Sequence, residues 1–194
     1  MPFVDQVSFR QIVPVLFLPA GLGLVIQAIA APSLDQKILS FALFLFCPEL
    51  ARMAWVDLKD VAMTAETIKE DSEDLSLTQS LSRFHRVVVS TIVLELLGFY
   101  LALRFAAIGA IVIIFSQLWF NLFAGVQLRI AEPVPIVPFG IGDRSAVLMA
   151  NAIALLLLCF WPMEPVRTAL AIGLLTLITL FLLIKYGFSE TAGE

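Results

Sequence analysis

The sequence has little charge and few of the residues that carry chemistry. Only 14% of its 194 residues are Asp, Glu, Lys or Arg, against roughly a quarter in a soluble domain. Histidine occurs once, as His85. A bis-histidine haem or a histidine-rich metal centre needs more imidazoles, unless a partner subunit supplies them. The two cysteines, Cys47 and Cys159, both fall in apolar runs. They are too few for a disulfide scaffold or a metal site and read as packing residues. The net charge is −4 and no basic stripe exists, so nucleic acid is not an expected partner. The sequence lacks a phosphate loop, a dinucleotide fingerprint, an HExxH zinc motif and a GxSxG elbow. Ser90 and Ser116 have no histidine at their depth to activate them. Neither an enzyme nor a bound cofactor is expected.

What the chain has is apolar sequence. Hydrophobic residues make up 60% of it, with a mean hydropathy of +0.98. A water-soluble fold of this size could not cover so many large apolar side chains. A bilayer-crossing helix needs about 20 mainly apolar residues, and six stretches qualify: 12–31, 38–56, 87–105, 107–127, 144–161 and 166–184. The expected fold is therefore an all-α membrane bundle of six helices. The second stretch is interrupted by Glu49 and Arg52. The fifth reaches span length only by including Arg144 and Ser145. Ser33 with Gln36, and Ser76 with Gln79, have the spacing of capping boxes before helices two and three. Pro162 and Pro165 separate helices five and six, and Gly187 is placed to cap the last.

Orientation follows from the basic residues. With six spans, one side holds Arg10, Arg52, Lys59, Lys69, Arg83, Arg86, Arg129, Arg144 and Lys185. The other holds only Lys37, Arg104 and Arg167. This bias puts both termini on the cytoplasmic side. Ala28-Ile29-Ala30 has the form of a signal-peptidase site. Its apolar run is longer than a signal core and contains Pro14 and Pro19, so it is read as a span.

Two loops stand out. Residues 57–86 are acidic in the middle and basic towards the end. Val61, Ala65 and Ile68 recur at helical spacing, as do Leu77, Leu81 and Phe84. This predicts two cytoplasmic helical extensions with an acidic turn between them, either plain solvated helix ends or a docking surface. Residues 131–143 contain Pro133, Pro135 and Pro138, which favour an extended, polyproline-like connector. Gly140 and Gly142 follow, where a tight turn into helix five is expected.

Ionisable residues inside a span usually pair or face a cavity. The short turn at 104–107 makes helices three and four antiparallel neighbours. Counting back from it sets Glu95 opposite Ser116 and Gln117, with Asn121 one turn beyond on the same face. Glu49 and Arg52 reach a similar depth on helix two, just after Pro48, and Asn151 on helix five. Glu49, Arg52, Glu95, Gln117, Asn121 and Asn151 thus form a candidate intramembrane polar layer. Two carboxylates against one arginine leave one negative charge in excess. That suits a proton-coupled carrier, and equally a structural acid bonded to a neighbouring helix. Gln27 lies towards the opposite face, outside the layer. Gly21, Gly23, Ala169 and Gly173 would allow close helix contact, and Trp55, Trp119 and Trp161 would serve as interfacial anchors.

The stretches SQLWFNLFAGVQL (116–128) and PIVPFGIGDR (135–144) resemble membrane proteins of photosynthetic bacteria. The resemblance implies a bacterial inner membrane or a thylakoid-type membrane. The expected partners are the lipid bilayer and other membrane proteins or a second copy of the chain. Missing chemistry, small soluble parts and an acidic loop favour a non-enzymatic accessory or assembly protein of a membrane complex. The polar layer and the proline in helix two favour a small homo-oligomeric carrier or channel, using an intramembrane glutamate, as the alternative.

Overall fold

The computed structural model describes residues 6–71, 75–129 and 136–187. Within them lie six α-helices: α1 (Gln6–Ala30), α2 (Leu34–Asp71), α3 (Leu75–Ala102), α4 (Ala106–Phe123), α5 (Ser145–Cys159) and α6 (Arg167–Gly187). Five of them, all but α5, are long and apolar enough to cross a membrane. Helix α5 has 15 residues, below the usual lower limit of about 17 for a span. The expected fifth stretch, 144–161, is thus shorter as a helix than expected, covering Ser145–Cys159. A turn at 141–144 delays the start of α5. At its other end the chain bends at Phe160 and Trp161, then forms a 3-10 turn over Glu164–Val166 around Pro165.

A second correction concerns residues 124–138. Expected span four ran to Gln127, but α4 stops at Phe123. Gly125 then takes a left-handed φ of +66°, which glycine adopts without steric cost. Gln127 lies in strand β1 (Val126–Leu128), paired antiparallel with β2 (Ile136–Pro138). A small hairpin therefore interrupts the all-α plan at what was read as a polyproline-like connector. Pro138, which has no N–H to donate, sits at the end of its strand, where a ladder bond can be missed. Pro133 and Pro135 lie outside the described residues. Ser76 falls inside α3, not at its cap, because the helix is already formed at Leu75.

Helix α2 organises the bundle. It packs against α1, α3 and α6 and touches α4 and β1. It runs unbroken through Pro48 for 38 residues, about 57 Å at 1.5 Å per residue. Helix α3 pairs with α4 and α5 joins α4 to α6. The buried core is aliphatic with edge-on aromatic pairs, Phe17 with Phe99 and Phe46 with Phe181. Large apolar residues also cover the outside: Val15, Leu18, Leu22, Ile26 and Ile29 on α1, and Ile172, Leu180, Leu183 and Ile184 on α6, are all exposed. Apolar exposure this extensive is a surface made for something other than water.

Helix contacts are closest between α3 and α4. A Cβ added to Gly109 would stand 2.3 Å from the backbone nitrogen of Ala102 and 2.5 Å from its Cα. One added to Gly98 would meet Ile113 Cγ1 at 2.6 Å. Among the glycines singled out in the sequence, Gly23 is tight against Leu103, while Gly21 and Gly173 have only ordinary contacts. At the same end of the bundle the Gln27 amide donates to the Leu103 carbonyl and accepts from Ser40 Oγ at 3.3 Å. That knot ties α1 and α2 to the α3–α4 turn.

Gly109→Ala should force α3 and α4 apart and cost about 2–3 kcal/mol. Gly173→Ala, whose new methyl would meet only the flexible end of Leu157 at 3.5 Å, should cost less than about 0.5 kcal/mol. Unfolding of both variants by detergent titration checks the difference.

Candidate functional site

The six polar residues singled out in the sequence separate into two clusters and two outliers. Glu95, on α3, and Gln117, on α4, are both buried. Gln117 Nε2 donates to Glu95 Oε1 at 2.7 Å. The close backbone approach at Gly98 and Gly109 holds the two helices near enough for this bond. Ser116 is buried beside them but turns its hydroxyl to its own helix, donating to the Ile113 carbonyl at 2.7 Å. Asn121 does not reach Glu95. It donates to the Gln117 carbonyl at 2.8 Å and lines a different space. Asn151 is half-buried on α5.

Glu49 and Arg52 pair on α2, through Arg52 Nε at 3.1 Å and Nη2 at 2.9 Å. Their other partners come from α6. Lys185 Nζ donates to Glu49 Oε1 at 2.5 Å, and the Tyr186 hydroxyl donates to Glu49 Oε2. Glu49 is therefore compensated by two cations. Its partners lie on α2 and α6, and that of Glu95 on α4. Among the described residues no hydrogen bond or ion pair joins the two clusters. Sequence reasoning gave Glu49 one cation because α6 is distant in the chain.

The second oxygen of Glu95 carries the chemical interest. Glu95 is only 3% exposed, yet its Oε2 has no hydrogen-bond partner among the described residues. It borders a cavity of about 10 Å³, lined also by Asp57, Thr91, Gln117 and Phe120. That is near the smallest space that holds one water molecule. Asp57 and Phe120 also line a larger cleft of about 330 Å³, with Asp60, Asn121, Asp143 and Arg144 among its other walls. Three carboxylates at the cleft face one guanidinium. Asp57 is thus the one acid among the described residues that lines both spaces.

The cleft is shaped by the hairpin and Arg144. Arg144 is 6% exposed. Its Nη2 donates to the Val126 carbonyl at 2.9 Å and its Nη1 to the Phe120 carbonyl at 3.4 Å. Its guanidinium carbon lies 5.3 Å from the centre of the Phe120 ring and 5.0 Å from that of Phe139. A cation there neutralises the exposed carbonyls at the end of α4 and stacks on two aromatic faces. The sequence reading had placed Arg144 only as a charge at the end of a span. It had placed Asp57 and Asp60 in a solvated loop. Their i, i+3 spacing on one helix face was the available signal.

Trp119 Nε1 donates to Ser90 Oγ at 2.9 Å, and Ser90 donates to the Val87 carbonyl. His85 is half-buried. Cys47 and Cys159 are free thiols. Among the described residues no group of three or more His, Cys, Asp or Glu is arranged to hold a metal ion. Comparisons with protein-family models, with curated proteins and with solved structures give no match.

Glu95→Ala should leave the buried Gln117 amide without its acceptor and cost about 1–2 kcal/mol. Glu95→Gln keeps an oxygen for that amide and should cost less than half as much. Equilibrium unfolding of the two variants side by side tests the bond.

Proposed function

We propose that this chain is a multi-pass integral membrane protein, with both termini on the cytoplasmic side, acting as a small proton-coupled carrier or channel. One observation carries the reading. A buried carboxylate, Glu95, has one oxygen without a partner among the described residues, beside a water-sized cavity, and a second acid, Asp57, lines both that cavity and an open acidic cleft. Packing alone asks for the Glu95–Gln117 bond but not for the rest. The exposed apolar faces of α1 and α6 support the placement in a bilayer.

The chemistry of such a site is simple. Glu95 exchanges a proton with water or with Asp57, and the amide of Gln117 holds the carboxyl in one orientation through Oε1. The orientation of the chain rests on the basic residues. Arg52, Lys59, Arg144 and Lys185 all belong to the end that holds the cleft and the Glu49 cluster, while Lys37, Arg104 and Arg167 lie at the other.

A second reading is favoured by the length of α2. At about 57 Å it exceeds a hydrocarbon core of about 30 Å by nearly half its length. With the first part of α3 it forms an extension on which a membrane-complex subunit could dock. In that accessory role the extension is essential and Glu95 is dispensable.

The two readings differ in one experiment. In liposomes holding a pH-sensitive dye, with the small-molecule fraction of a cell extract outside, the wild-type chain should pass protons under an imposed potential. Glu95→Gln should reduce that flux at least about tenfold, the loss expected when a positioned acid–base group is removed. Equal flux in a folded Glu95→Gln variant sinks the carrier reading. The orientation has its own check. In a background without Cys47 and Cys159, a cysteine replacing Lys37 should react with an impermeant maleimide in intact cells. One replacing Glu66 should react only after permeabilisation.

A further inference from the structure

The Glu49 cluster is unevenly balanced, and its excess charge faces outwards. One carboxylate meets two cations, Arg52 and Lys185, which leaves a charge of +1. The carboxylate is 4% exposed, whereas the side chains of Arg52 and Lys185 are 45% and 30% exposed. Glu49 thus sits behind the cations and holds them at the surface. Arg52 engages Glu49 through Nε and Nη2, and a guanidinium has five N–H donors.

Aromatic rings frame these cations. The Arg52 guanidinium lies 5.8 Å from the centre of the Tyr186 ring, and Lys185 Nζ lies 5.3 Å from that of Phe181. One turn further along α2 is Trp55, with Lys59 Nζ 5.6 Å from its ring centre. Lys59 adds a second positive charge to the face. Two acids share this stretch of α2, Asp57 and Asp60, and both line the cleft; the next along the helix is Glu66.

The height of the cluster is set by α6. Lys185 is 18 residues beyond Arg167, the first residue of that helix. This is about 27 Å along the axis, close to the thickness of a hydrocarbon core. Just before it, Leu183 and Ile184 are 61% and 60% exposed. Cations therefore lie where lipid headgroups would be, with bare apolar side chains directly towards the bilayer centre. Tyr186 and Trp55, both exposed, are the residue types that favour such a boundary.

We propose that Arg52, Lys185 and Lys59 bind the phosphate diester of an anionic lipid on the cytoplasmic leaflet, with its acyl chain against Leu183 and Ile184. Glu49 bonds the two nearer cations and offsets one of their two charges, so it competes with the phosphate for them. A soluble phosphate would use the cations but not the apolar side chains, which is why a lipid is the occupant. The proposal rests on the bilayer placement of the helices and not on proton transport through Glu95.

Native mass spectrometry of the full chain, released from micelles with equal phosphatidylglycerol and phosphatidylcholine, tests it. The wild type should retain phosphatidylglycerol at least about fivefold over phosphatidylcholine, and each of Arg52→Gln and Lys59→Gln should lower that ratio several-fold, as expected for basic residues near a membrane surface. Arg52→Gln disturbs the cluster, so Glu49→Gln is the control. It removes the competing carboxylate and should raise phosphatidylglycerol retention. Equal retention of the two lipids by the wild type overturns the proposal. So does a fall in Glu49→Gln without any fall in Lys59→Gln, and so does displacement of the lipid by millimolar inorganic phosphate. None of these outcomes depends on the flux through Glu95.

Discussion

The contact between α3 and α4 is the constraint on which the rest of this structure depends. With no side chain on Gly98 or Gly109, the backbones approach until a single methyl would collide with Ala102 or Ile113. That approach brings Gln117 within hydrogen-bonding distance of Glu95 and closes the small cavity beside it. In a bilayer, where apolar side chains gain little by leaving lipid for one another, close packing and interhelical hydrogen bonds are the forces that remain. Here the same seam supplies both.

The two buried glutamates show how differently a fold can treat the same side chain. Glu49 meets a guanidinium, an ammonium and a phenol, contributed by two helices. Glu95 meets one neutral amide, and one of its oxygens has no partner among the described residues. The first arrangement fixes charge at the edge of the bundle and joins α2 to α6. The second leaves a titratable group next to space that a proton carrier can use. The proposals for lipid binding and for transport therefore draw on separate clusters and on separate physics.

Arg144 does for the cleft what the glycines do for the seam. Helix α4 ends early at Phe123, Gly125 turns the chain, and the hairpin that follows needs something to hold it against the bundle. A cation bonded to the carbonyls of Phe120 and Val126 and stacked on two rings does so. That arginine, buried at 6% exposure, forms part of the wall of the cleft between hairpin and bundle.

Much of this was legible in the sequence. The helices announce themselves as long apolar runs, and five of them are long and apolar enough to cross a membrane. The turn at 104–107 is short enough to fix α3 against α4, so the meeting of Glu95 with Gln117 followed from counting residues. What the sequence could not reveal is any pairing that depends on which non-adjacent helices touch. The bond from Lys185 and Tyr186 to Glu49 spans more than 130 residues. The place of Asp57 in the walls of both the cleft and the Glu95 cavity needs α2, α3 and α4 side by side. The end of α4 at Phe123 was hidden because Val126 and Leu128 are as apolar as a helix would be, and a hydropathy count does not register the turn at Gly125. Local runs and short turns are decided by the chain itself. Contacts across long loops are decided only when the helices pack, because nothing in an apolar run states which of its faces a distant helix will cover.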